Sequence, residues 1–357
     1  MTLLLSNEEV DRLLTMRECI DALELAYREL AAGRGTDRRR SDSFVAGPSA
    51  GSLYSLKSMD GISPAFGVGA VRIDSDVVTW PTRAGKARRE KLPAAPGGRW
   101  VGLVLLFSIA TGEPLAILPD GYLQRLRVGG TNGLAADRLA RRDARVIGLI
   151  GSGWQAGGQL MAICAVRQVE RIRCYSTTAE RRVAFAREWS ARLGVDIEPV
   201  PSPEAAVRGA DVVMCATNTI DHVFFERWIE PGMHLSSIKR PELEPAAIRR
   251  ADRLVIHAKH ATPMHVVAAG VEVPEASAGK GWKLLEEIDF DALPELHDLV
   301  AGTVGGRARP EEVTCFLNNI GRGYQFAAVG GALYRKAKAA GAGRELPTEW
   351  FTQDVHP

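Results

Sequence analysis

The stretch RVIGLIGSGWQAGGQL, residues 145–160, constrains the fold of this chain more than any other. An apolar, β-branched run ends at Gly151-Ser152-Gly153, and Trp154-Gln155-Ala156 then open a helix-forming segment. A strand, a glycine turn and a helix in that order begin a βαβ unit, and in that setting the pattern G-x-G-x-x-G/A marks a dinucleotide cradle. Gly151 makes the tight turn, and Gly153 lets the backbone approach a pyrophosphate. The amides and dipole of the helix start receive its charge. Ala156 takes the third position, where the requirement is close packing of helix on strand.

The chain downstream keeps the same rhythm. RIRCYST, DVVMCAT, HLSSI and RLVIH are short, apolar and β-branched, and helical stretches such as AERRVAFAREWSARLG lie between them. That alternation predicts a parallel sheet with helices on both faces. Upstream the pattern differs: SLYSLKSM, FGVGAVRIDSDVVTW and WVGLVLLFSI are β-rich runs separated by Gly and Pro. Ser6 with Glu9 and Thr15 with Glu18 form two S/T-x-x-E signatures, each predicting a capping box at a helix start. In the second helix Ile20, Leu23, Leu25, Ala26 and Leu30 recur near helical spacing. EEVTCFLNNIGRGYQFAAVGGALYRKAKAAG reads as one long final helix. The basic segment PTRAGKARREKLPAAPGGR, residues 81–99, reads as a solvated loop, with a lid over an anionic ligand as the other reading.

Charge and cysteine usage narrow the function classes. With 45 basic and 43 acidic side chains there is no polyelectrolyte signal, so neither nucleic acid nor an anionic membrane is an expected partner. No apolar run reaches the roughly 20 residues needed to span a bilayer. The five scattered cysteines fit buried thiols in a reducing compartment, and the expected location is cytoplasmic.

Cofactor choice should be legible about 20 residues beyond the glycines, where a carboxylate would hold a ribose 2′-hydroxyl. The chain there reads Tyr175-Ser176-Thr177-Thr178-Ala179-Glu180-Arg181-Arg182, with no carboxylate at the strand end, which favours NADP over NAD. The cofactor-binding candidates are therefore Gly151, Ser152, Gly153, Trp154, Gln155, Ala156, Ser176, Thr177, Thr178, Arg181 and Thr217. A carboxylate substrate needs fixed cations, because a planar guanidinium can hold a carboxylate through two hydrogen bonds. Arg40, Lys57, Arg72 and Arg127 are the candidates. Arg72 is conspicuous within an apolar run, where an unpaired charge would be costly. His257, His260 and His265 match no standard zinc spacing, and no metal is expected.

Along nearly its whole length the chain resembles the ornithine cyclodeaminase and mu-crystallin family. LLLSNEEVDRLLTMRECIDALELAYRELAAG is similar to that family's opening. GYLQRLRVGGTNGLAADRLARRDARVIGLIGSGWQAGGQL resembles its central signature, and LVAGTVGGRARPEEVTCFLNNIG a late one. The resemblance implies an α/β fold with a Rossmann domain at 129–315. It also implies a discontinuous α+β domain, from 1–128 and 316–357, that binds substrate and forms a homodimer. Family members include cyclodeaminases, alanine dehydrogenases, imine and ketimine reductases and hormone-binding mu-crystallins. Arg127 falls on the family's carboxylate-binding arginine, Lys57 on a basic strand residue and Arg72 on the next strand's lysine. Arg40 matches an early arginine, with Arg38 and Arg39 competing.

The departures bear on the reaction. Cyclodeaminases carry an aspartate shortly before a K-x-E-L pattern, and here HLSSIKRPELEP places Ser236 and Ser237 where it would fall. The late A-x-x-D motif reads Gly323-Tyr324-Gln325-Phe326, and residues 81–99 look like an insertion. The expectation is an NADP-preferring (or NAD-dependent) oxidoreductase moving hydride to or from the α-carbon of an amino acid or cyclic imino acid. Arg127 and Lys57 would act at the substrate, and either Lys57 or a bound water would supply the proton to nitrogen. The alternatives are a cyclodeaminase that recycles NAD internally and a non-catalytic, NADPH-holding binding protein of mu-crystallin type.

Overall fold

The computed structural model describes residues 1–355 except 84–85, 88, 220, 240, 260–261 and 275–287, with the backbone alone described at 82–83 and 86–87. Its contacts divide the chain into two units: Met1–Arg127 with Ala261–Ala278 and Arg322–Pro357, and Val128–His260 with Gly279–Gly321.

The first unit is built on a mixed sheet. Its strands run in the order Met264–Val267, Ser41–Ala46, Leu53–Ser63, Val68–Thr79, Val101–Ser108, Pro114–Pro119, Thr2–Leu4 and Arg344–Leu346, and Glu90–Leu92 pairs onto Val68–Thr79. Helices α1 (Asn7–Leu13) and α2 (Met16–Ala31) begin at the two expected capping boxes, with the Ser6 and Thr15 amides donating to Glu9 and Glu18. Ile20, Leu23 and Ala26 of α2 are buried, whereas Leu25 faces outward. The helix Gly323–Ala339 crosses this unit's sheet at very short range. A Cβ on Gly61 would stand 2.3 Å from the Tyr324 nitrogen, and one on Gly323 2.1 Å from the Asp60 carbonyl oxygen. Only paired glycines allow that approach.

The second unit is a seven-stranded parallel sheet in the order Asp196–Pro199, Arg171–Tyr175, Val146–Ile150, Val212–Cys215, His234–Ser237, Thr314–Leu317 and Arg253–Ile256. Successive residues feed opposite faces, as the strand period demands. Ile147, Leu149, Val212 and Met214 enter one core, and Ile150, Val213, Cys215 and Leu235 enter the other. Strand order reverses between Val146–Ile150 and Val212–Cys215, and the crevice at the carboxyl ends of such strands is where doubly wound sheets bind ligands.

The expected long final helix is two elements. Thr314–Leu317 is a fully buried parallel strand, and the helix begins only at Gly323. Four consecutive buried residues followed by Asn318-Asn319 and Gly321 fit a parallel strand and its turn better than a helix. That strand carries the second boundary from 315/316 to 321/322. Met264–Val267, inside the expected Rossmann range, pairs instead with Ser41–Ala46 in the first unit. The first boundary falls inside the helix α3 (Asp120–Leu139).

Candidate functional site

In the second unit the strand Val146–Ile150 runs through Gly151-Ser152-Gly153 into α4 (Trp154–Val166). Gly151 has φ +124°, and a Cβ there would lie 2.2 Å from the Ala216 carbonyl oxygen. Gly153 caps α4 without a side chain and has open space where a Cβ would stand. This is the cradle a dinucleotide pyrophosphate requires: free backbone approach, a helix start, and no acidic residue in the first helical turn. Ala156 is buried in the core, but the tightest packing falls one residue later. A Cβ on Gly157 would stand 2.0 Å from the Trp189 ring, so Gly157 sets how closely α5 (Ala179–Leu193) lies against α4.

At the end of the neighbouring strand Ser152 Oγ and Ser176 Oγ are 2.8 Å apart, while Thr177, Thr178 and Arg181 are exposed. The Arg182 guanidinium lies 5.4 Å from the Tyr175 ring centroid and donates to the Ser176 carbonyl. Thr217 does not offer a free hydroxyl. Its amide and Oγ1 donate to Glu242 Oε1 at 2.6 and 2.8 Å. The other carboxylate oxygen accepts from the amides of Ile238 and Lys239, both at 2.9 Å. Glu242 is fully buried, and burial raises its pKa against the pull of these four donors. It ties the loop after Val212–Cys215 to the loop after His234–Ser237. Glu242 is the first glutamate of the HLSSIKRPELEP stretch, and nothing in that local sequence marks it as a tie between two loops.

Ser236 and Ser237, standing where a cyclodeaminase aspartate was expected, are buried strand residues. Asn132 Nδ2 donates to Ser236 Oγ at 2.7 Å, and Asn318 Nδ2 donates to Asn132 Oδ1 at 2.6 Å.

The first unit gathers the expected cations. Alternation along Val68–Thr79 puts Arg72, Asp74 and Asp76 on its buried face, and Lys57 lies opposite Asp74 on Leu53–Ser63. Lys57 Nζ donates to Asp76 at 2.7 Å and lies 3.7 Å from Asp74; Arg72 reaches Asp74 at 3.2 Å and Asp120 at 2.5 Å. Burial, with Arg89 nearby, lowers the Lys57 ammonium to about 8. Arg127 is buried, lies 5.0 Å from the Phe326 ring centroid and donates to Gln325 Oε1 at 3.1 Å; burial lowers its guanidinium to about 10. Arg72 approaches the same ring at 5.8 Å. Arg40 clasps Asp42 through both oxygens, whereas Arg38 pairs with Asp60 in a far more exposed position.

Sequence reasoning missed Asp74, Asp76 and Asp120, although the alternation in RIDSD was a visible signal for the first two. The basic segment is not a purely solvated loop, because Glu90–Leu92 joins the sheet and Lys91 reaches Asp76 at 2.8 Å. Of the histidines, His257 is buried against the Ile320 carbonyl and His265 lies 3.8 Å from Asp42; His260 lies outside the described residues.

A profile described as the Ornithine cyclodeaminase/mu-crystallin family matches residues 1–322. The chain belongs to that family. A Delta(1)-pyrroline-2-carboxylate reductase of Bacillus cereus is 30% identical over 349 residues, covering 96% of this chain and 99% of its own. An alanine dehydrogenase of Archaeoglobus fulgidus is 27% identical over 358 residues, covering 97% and 98%. Among solved structures, the Thermococcus litoralis Delta(1)-pyrroline-2-carboxylate reductase in complex with NADH and L-proline is 28% identical. It superimposes with a TM-score of 0.78 over 97% of this chain and 100% of that one.

Proposed function

We infer that the chain is an NAD(P)H-dependent oxidoreductase acting on the C–N bond of an amino acid or imino acid, with a cyclic imino acid as its first substrate to test. The observation that carries this is Arg127: a buried guanidinium braced by Gln325 and Phe326, in a chain whose other unit holds a complete glycine cradle. Bound NAD(P)H would supply the hydride. Arg127 holds the substrate carboxylate through its planar fork, and Arg72, fixed by Asp120, is a positioning residue beside it. Lys57 holds a proton at Nζ for the substrate nitrogen, and at about 8 it is largely protonated near neutral pH. In the stretch that would carry the ring-closing aspartate of a cyclodeaminase, Ser236 is bonded within its own unit and the Glu242 oxygens are engaged by four donors.

NADPH is the preferred donor in this reading. No carboxylate stands at the end of Arg171–Tyr175, and Arg182 is held there by Ser176 and Tyr175. The protein works as a homodimer, for which Leu56, Ile62, Val101 and Leu103 supply an exposed apolar area on the outward face of the first unit's sheet. The five free thiols suit a cytoplasmic setting. No helix among the described residues is long and apolar enough to cross a membrane.

The test is oxidation of NADPH and NADH with Delta(1)-pyrroline-2-carboxylate and with keto acids plus ammonia. Turnover with NADPH ahead of NADH is expected, and no turnover with any imino acid overturns the assignment. Proline and ammonia from L-ornithine without net reduced cofactor would identify a cyclodeaminase instead. Tight NADPH binding with no turnover at all would identify a binding protein.

A further inference from the structure

The inner face of the strand pair Leu53–Ser63 and Val68–Thr79 changes character along its length. Along Val68–Thr79 it is apolar at Val68 and Ala70, charged at Arg72, Asp74 and Asp76, and apolar again at Val78. Four buried carboxylates, Asp42, Asp74, Asp76 and Asp120, belong to this region or its border. Four cations meet them: Arg40 on Asp42, Lys57 on Asp76 and Asp74, Arg72 on Asp74 and Asp120, and Lys91 on Asp74 and Asp76. Before Arg127 is considered, these charges cancel one for one.

Arg89 is a fifth cation in the same place. It directly precedes Glu90–Leu92, which pairs with Val68–Thr79 through Val78 and Lys91. Residues two apart in an extended chain project to the same side, so Arg89 follows Lys91 toward Asp74 and Asp76, and Glu90 projects the other way. No ion pair among the described residues includes Arg89, although the charges of Asp76, Asp42, Asp74 and Arg40 act on it. Burial depresses its guanidinium below the usual range, the mark of a sheltered cation short of an anion. The insertion offers no remedy of its own, since between residues 81 and 99 Glu90 is its one carboxylate against six Lys and Arg.

We propose that Arg89 binds a second carboxylate on the substrate, so that the enzyme acts on imino or amino dicarboxylates ahead of monocarboxylates. This rests on the assignment above, in which Arg127 takes the first carboxylate. A sheltered cation offers a carboxylate a charge-assisted hydrogen bond, and a substrate lacking that group leaves the cation unanswered.

The experiment compares kcat/KM for two reductive substrate sets, 2-oxoglutarate or oxaloacetate with ammonia against pyruvate with ammonia and Delta(1)-pyrroline-2-carboxylate. Wild type, Arg89→Gln and Arg89→Lys are each assayed, and calorimetric titration with L-glutamate and L-proline is run in the presence of oxidised cofactor. The wild type is expected to favour dicarboxylates. Arg89→Gln should cut that preference about 10- to 100-fold, chiefly through KM, with Arg89→Lys restoring part of it. Calorimetry should show the same weakening for L-glutamate over L-proline. Monocarboxylate turnover that equals or exceeds dicarboxylate turnover overturns this proposal and leaves the oxidoreductase assignment standing. An unchanged preference in Arg89→Gln also overturns it. No turnover in either set overturns both.

Discussion

The two units offer candidate sites made of different materials. In the parallel-sheet unit the cradle is backbone and small side chains: a glycine at φ +124°, an uncapped helix start and hydroxyls at the strand ends. In the mixed-sheet unit the site is full charges, in which Lys57, Arg72 and Lys91 share Asp74 and Asp76. A cofactor common to many enzymes can be met by a fixed shape, whereas a substrate must be met by a charge pattern of its own. Damage to the glycine turn should therefore appear as lost fold and lost nucleotide, and damage to the charge cluster as lost turnover with nucleotide still bound.

Arg127→Ala is the hardest test of that contrast. Removing a buried charged partner of a carboxylate costs about 2–5 kcal/mol, so kcat/KM should fall roughly 30- to several-thousandfold. NADPH binding, followed by fluorescence titration, should stay within about threefold. Equal loss of both would dissolve the distinction.

Gly151→Ala should fail in the opposite manner. Its Cβ would meet the Ala216 carbonyl oxygen at 2.2 Å in a backbone region that L-residues avoid. A destabilisation of about 2–4 kcal/mol is expected from thermal or denaturant unfolding, with nucleotide affinity reduced about 100-fold.

Lys57 gives a pH signature. Its folded-state pKa lies at about 8 because burial and the nearby Arg89 oppose the ammonium. The protonated form donates, so reductive kcat/KM should be level below that pH and fall about tenfold per unit above it. Lys57→Arg should remove that descending limb, and a wild-type profile flat to pH 10 would exclude Lys57 as the donor.

The smallest effect is expected at Arg182. Its alanine variant should lower the NADPH-to-NADH preference about 3- to 10-fold in paired KM measurements, with little change in kcat. An unchanged ratio would move the phosphate contact elsewhere.

The strand, glycine turn and helix were legible because their geometry is local: all three lie next to one another in the chain. Both capping boxes were legible for the same reason, since each closes over three residues. The charge cluster was less so. Lys57 meets Asp76 across 19 positions and Arg72 meets Asp120 across 48, and no local pattern announces such pairs. The final helix was misread because Thr314–Leu317 is short and apolar, and only its partners His234–Ser237 and Arg253–Ile256 make it a strand. Gly157 was passed over because Trp189, the ring it admits, lies on the following helix.

Glu242 has a consequence for how such a chain can diverge. Three of its four donors are main-chain amides, at Thr217, Ile238 and Lys239, which any residue but proline can provide. On the donor side the outline of these two loops is thus held mainly by groups that point mutation rarely alters, and the Glu242 carboxylate is the one side chain that all four bonds require. The other side chains of the loops are left open to change, and a new reaction could be tried in this crevice without rebuilding its walls.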